Sequence, residues 1–263
     1  MKPGCIPLPV GIRPKLCFLI VMRVCFLLFV GFFSIFANAA SPNGCGKGQH
    51  WVKPHPRRAY YRGDGTYVRA TDVTGHCHAN PPGYDVWNNK LMTGRPLSWH
   101  KEEKTATWTD EERERILEAL GDLPAALKDE GIDGIYRLMR AIDPANPASN
   151  NFNSIVVYDS AFNKDYNLAH VLGHELSHRL YGSLSEREKD SFRISGKWRL
   201  TKPKTYEVGR PKNEFLRPNG MLSPEEDFCD IVPTYFLQPE KLKSLSPRVF
   251  NWVNNHIKLW SLK

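Results

Sequence analysis

Apolar and polar positions along the chain predict a series of helices with a few short strands. Asn167–Tyr181 holds no proline and one internal glycine, and its residues four apart share a face, which predicts a helix closing at Gly182. Thr109-Asp110-Glu111-Glu112 is a capping box, followed at helical spacing by Ile116, Leu117 and Leu120. Ile135, Leu138, Met139 and Ile142 fall on one face of a helix over Gly134–Ile142. Asn146–Asn151 reads as a loop, and Ile155-Val156-Val157-Tyr158 as a short apolar strand leading towards the Asn167 helix. Ser185-Glu186-Arg187-Glu188 opens a short helix towards Ile194. Gly196–Asn219 is basic and has no clear period. Ser223-Pro224 opens an acidic helix that Pro233 must end or kink, and Ser246-Pro247 opens the last, with Phe250, Trp252, Val253 and Ile257 available for packing. Upstream, Tyr60–Val68 reads as two short strands around the Asp64-Gly65 turn.

This pattern is α+β: a mostly helical domain with a small sheet, over residues 97–263, preceded by a small loop and β region over residues 40–96. The small region is too short to bury much core alone, so Cys45 and Cys77 are expected to staple it. Cys229 reads as a buried free thiol in an apolar helix. Residues 1–39 read as a signal peptide. Val24 to Phe36 is almost wholly apolar, basic residues precede it, and Ala37-Asn38-Ala39 is a small-x-small cleavage pattern. Met22-Arg23 would open a compact leader by itself. The rival reading is an uncleaved anchor, but the run is short for a span of about 20 residues. The mature chain is therefore expected to be secreted or periplasmic, with no membrane span.

The formal charge of +8 points to anionic surfaces as partners, and no nucleic-acid-binding signature accompanies it. Arg57, Arg58, Arg62 and Arg69 make the N-terminal region basic, either as a module for an anionic envelope surface or as a solvated face. Cys45, His50, His55, His76, Cys77 and His78 invite a metal there, but their spacing matches no standard template.

The chemistry concentrates at His174-Glu175-Leu176-Ser177-His178. On a helix, His174 and His178 present two imidazoles to one point, where Zn2+ takes a nitrogen from each. Glu175 reaches the edge of that point as a general base for water. Tyr181 and Leu184 stand where a three-histidine motif needs Gly and His, so the third ligand is a distant carboxylate. Glu226 is the first candidate. It also closes a capping box with Ser223, in which case Asp227 or Asp230 would bind instead. Asp230, one turn on, is placed to accept a hydrogen bond from a ligand histidine. His170 precedes His174 by one turn and reads as a supporting residue, because three ligands on one straight helix are strained.

His174–His178 followed by Glu226-Asp227-Phe228-Cys229-Asp230 resembles the gluzincin metallopeptidases, in particular the catalytic domain of anthrax lethal factor and its bacterial relatives. There the third ligand opens a Glu-x-Phe-Ala-Glu run, from which Cys229 and Asp230 are small departures. The resemblance covers Trp108 to the C-terminus. It implies a zincin-like fold in which the strand at Ile155 is an edge strand that holds an extended substrate, with Glu226 as third ligand and Asp230 as hydrogen-bond acceptor for a ligand histidine. It also implies a tyrosine near position 219 to stabilise the oxyanion. Asn219 stands there, and Tyr206 and Tyr235 are the nearest alternatives. The expected function is zinc-dependent hydrolysis of peptide or protein substrates. The alternative is a non-catalytic envelope- or surface-binding protein on the same scaffold, which would have no need of Glu175.

Overall fold

The computed structural model describes residues 44–81, 83–97, 99–127, 131–151 and 153–260. The leader, with Met22, its cysteines and the cleavage pattern at Ala39, lies outside them. The protein is α+β, and Cys45 and Cys77 form a disulfide. Cys229 is a buried free thiol. No described helix is long and apolar enough to cross a membrane.

The described residues begin with paired short strands. β1 (Gln49–Val52) pairs antiparallel with β6 (His76–Ala79), β2 (His55–Arg57) with β5 (Thr71–Val73), and β3 (Tyr60–Tyr61) with β4 (Tyr67–Val68) around the expected Asp64-Gly65 turn. Gly65 has φ +88°, which an L side chain would strain. Helix α1 (Tyr84–Asn89) and strand β7 (Leu91–Met92) follow.

The main sheet has the order β7-β8-β10-β9, with β8 at Gly134–Arg137, β9 at Ala148–Asn151 and β10 at Ser154–Val157. Two expectations are corrected here. Gly134–Ile142 is not a helix. Its first four residues are β8, parallel to both β7 and β10. Ile135 and Leu138 are fully buried, but Met139 and Ile142 are exposed, so the apparent helical stripe has no common core to face. Secondly, the apolar run at Ile155 is not the edge. β10 is buried along its whole length with a neighbour on each side, as a continuous apolar run suggests. The edge is β9, Ala-Ser-Asn-Asn, whose polar composition reads as loop.

Helix α2 (Asp110–Gly121) carries the reciprocal Thr109–Glu112 capping box. Helix α3 (Leu168–Ser183) starts at Asn167, whose Oδ1 accepts the His170 N–H at 3.1 Å, and ends at Leu184. Gly182 therefore lies inside the last turn, not beyond it. Helix α4 (Glu186–Ser195) is capped by Ser185 and Glu188 as expected. The aperiodic basic stretch folds in part as a hairpin, β11 (Trp198–Lys202) and β12 (Thr205–Val208). Helix α5 (Pro224–Leu237) runs through Pro233, and α6 (Pro239–Leu245) and α7 (Pro247–Trp260) complete the described residues.

The α3–α5 pairing is the most extensive between any two described elements. Gly173 makes it close: a Cβ there would sit 2.6 Å from Pro233 Cβ. Leu172 and Leu176 of α3 and Phe228, Ile231 and Val232 of α5 are buried in one core. Each such side chain contributes about 1.5–3 kcal/mol by leaving water. Phe192 of α4 and Trp252 of α7 pack edge-on against Phe228. The chemistry-bearing residues therefore sit on the two helices that the core holds most firmly.

Candidate metal centre

His174 and His178 lie one turn apart on α3, with ring centroids 5.1 Å apart. Glu226 stands in the first turn of α5. Ser223 Oγ accepts the Glu226 N–H at 3.1 Å, so the helix is capped through the backbone of Glu226 while its carboxylate turns to the imidazoles. Glu226 Oε2 is 3.4 Å from His174 Nε2, and Oε1 is 3.8 Å from His178 Nε2. One ligand atom from each residue lies within 4.8 Å of the others, and no other such trio occurs among the described residues. Ligands at roughly 2.0–2.2 Å around a tetrahedral ion stand roughly 3.3–3.5 Å apart, so the trio needs little adjustment to take one. Two imidazoles and a carboxylate suit a borderline divalent cation.

The far nitrogens are also held. His174 Nδ1–H donates to Asp230 Oδ1 at 2.9 Å, and His178 Nδ1–H to Glu225 Oε1 at 3.0 Å. In the uncharged rings this leaves both Nε2 lone pairs aimed at Glu226. With no cation present, burial lowers the His174 pKa. Its hydrogen bonds to Asp230 and Glu226 and the charge of Glu175 outweigh that and raise it to about 9. The His174 hydrogen bond holds Glu226 below the usual carboxylate range. A cation entering here displaces a proton.

A further layer fixes Asp230. Burial pushes its pKa up, but the His174 hydrogen bond and the Arg217 charge bring it below normal. Arg217 Nη2 lies 2.9 Å from Asp230 Oδ1 and also donates to His170 Nδ1. His170 Nε2–H then donates to Thr234 Oγ1 at 2.8 Å, and that hydroxyl donates to the Asp230 carbonyl at 2.7 Å. Burial and the Arg217 charge press the His170 pKa down to about 3. His170 is thus a neutral strut beside the trio.

Glu175 is buried, with 6% of its surface exposed. Burial raises its pKa, opposed by His174 and His178. Its backbone carbonyl accepts from Asn150 Nδ2 at 2.8 Å, which ties edge strand β9 to the helix at this residue.

Asp227 points elsewhere. It accepts from Trp198 Nε1 at 2.9 Å and from Arg210, binding the base of the β11–β12 hairpin to α5. Of the three acidic candidates, Glu226 alone faces both Nε2 atoms. Tyr235 donates to Asn254 Oδ1 on α7, and Tyr206 on β12 lies under the Arg193 guanidinium. Sequence reasoning missed Glu225, Arg217, Thr234 and Asn150. Glu225 carried a signal, being the first acid of the α5 turn. The other three join the site only through the fold.

Comparison with family models, curated proteins and solved structures finds no match to this chain.

Proposed function

We propose that the protein is an exported zinc metallopeptidase of zincin-like build, with His174, His178 and Glu226 holding the metal and Glu175 as general base. The observation that carries this reading is the convergence of both Nε2 atoms and the Glu226 carboxylate, with a buried carboxylate one residue along the same helix. The chemistry supplied by zinc held there is Lewis acidity, which polarises a peptide carbonyl and makes water acidic near neutral pH. The Glu175 carboxylate takes the proton from water and passes it to the leaving amine. Burial raises the pKa of its carboxyl, which makes the carboxylate a stronger acceptor for the proton of water. Asp230 and Glu225 fix the ring orientations. Among the described strands β9 pairs only with β10, and its other edge offers main-chain groups to an extended substrate.

The test is metal analysis of the purified mature chain alongside cleavage of a peptide library. At least one equivalent of zinc, with chelator-sensitive cleavage, is expected. Zinc at that level without cleavage would instead support the binding-protein reading. Asp230→Asn is expected to weaken zinc binding by about 10–100-fold, measured by competition with a chromophoric chelator. Unchanged affinity would remove Asp230 from its assigned role.

A further inference from the structure

A cavity of about 270 Å³ lies between the N-terminal strands and α2. Four imidazoles line it: His50, His55, His76 and His78. Their convergence follows from strand register. His50 pairs with His78 and Val52 with His76, so residues two apart put His50, His76 and His78 on one face of the β1–β6 ribbon. His55 enters from β2. Glu114 enters from α2, its Oε2 3.4 Å from His55 Nε2, the same separation as between Glu226 and His174.

Three of the rings are set in the same tautomer. His55 Nδ1–H donates to the Lys53 carbonyl and His76 Nδ1–H to the Thr74 carbonyl, each at 2.7 Å. His50 Nδ1–H donates to Asn80 Oδ1 at 2.9 Å, and its ring is stacked on Tyr84. The lone pair of each uncharged ring then sits on Nε2. The His55 side chain is 9% exposed, and its Nε2 makes no hydrogen bond although Glu114 Oε2 faces it at 3.4 Å. Two acceptors facing each other at that distance leave a position for a cation between them.

Four carboxylates line the cavity against three guanidinium groups, a small acidic excess when the imidazoles are uncharged. Arg62 is held by Glu118 at 2.9 Å, and Arg115 lies 3.8 Å from Glu111 with its plane over Tyr60. Sulfur ligands are excluded, because Cys45 and Cys77 are joined to each other. Imidazole and carboxylate donors favour Zn2+, Ni2+ or Cu2+ over Mg2+ or Ca2+.

We propose that this cavity is a second divalent transition-metal site, anchored by His55 and Glu114 and completed by His76 or His78 from the ribbon face. Only two donors stand in contact as folded, so the site is weaker than the α3–α5 centre. Occupancy ties the ribbon to α2, away from the peptidase chemistry, and does not depend on that reading.

The test uses the full mature chain carrying His174→Ala and His178→Ala, which removes the first centre. Calorimetric titration with Zn2+ alone is expected to show saturable binding of about one equivalent, a raised Tm, and no response to Mg2+. Adding His55→Ala or Glu114→Gln is expected to abolish the binding. Glu114→Gln conserves size, so it answers the question if the histidine variant fails to fold. Absence of saturable Zn2+ binding in the first background, or binding unmoved by Glu114→Gln, would overturn the site.

Discussion

Glu175→Gln is expected to keep its zinc and lose peptide hydrolysis by about 10²–10⁴-fold in kcat. The amide has the size of the carboxylate but cannot take a proton. Glu175 is not among the three groups that converge on the ion position, so metal content should not change. Its burial makes the comparison clean: a buried carboxylate costs more to desolvate than an amide, so the variant should be no less stable than the parent. A purely structural Glu175 would give the opposite pattern, with stability moving and activity surviving. Parallel zinc analysis, thermal melting and peptide turnover separate the two. Full activity in the variant would end the role assigned to Glu175.

Arg210→Ala is expected to destabilise the fold by about 3–5 kcal/mol, read from the urea midpoint at unchanged slope. Arg210 and Asp227 are an ion pair with 1% and 2% of their side chains exposed. Burial pushes the Asp227 carboxyl up to about 6 despite the guanidinium beside it. The pair therefore adds little net stability, yet removing one member strands the other without its counter-charge. Arg210 also lies flat on Phe215, 3.8 Å from the ring centroid, so packing is lost as well. Asp227 adjoins Glu226, and disorder in this turn would carry to the proposed metal ligand. A loss below about 1 kcal/mol, the range of exposed pairs, would show that Asp227 is not buried as described.

Local signals in the sequence were enough for much of the site. His174, Glu175 and His178 are fixed by helical spacing, and α3 forms where that spacing requires it. The Thr109 and Ser185 capping boxes both formed, because a cap is satisfied within one turn. What sequence did not disclose depends on distant partners. In the sequence, capping at Ser223 and binding a metal compete for the Glu226 carboxylate. The fold resolves it by letting the backbone take the cap and the carboxylate take the imidazoles. The 134–142 stripe failed because a parallel neighbour on each side of Gly134–Arg137 outweighs a helical period. Strand β9 was illegible because its residues are polar. Asn150 pairs with Ile155 in the backbone register while its side chain reaches α3. Arg217 joins the site from a 3₁₀ turn cap that carries no periodic signal.

The most direct measurement of the central claim is an anomalous difference map at the zinc edge from crystals of the protein grown with zinc. The account predicts a peak bonded at roughly 2.0–2.2 Å to His174 Nε2, His178 Nε2 and a Glu226 oxygen, with Glu175 outside the coordination sphere. No peak there, or a peak with Glu175 as ligand in place of Glu226, would contradict it.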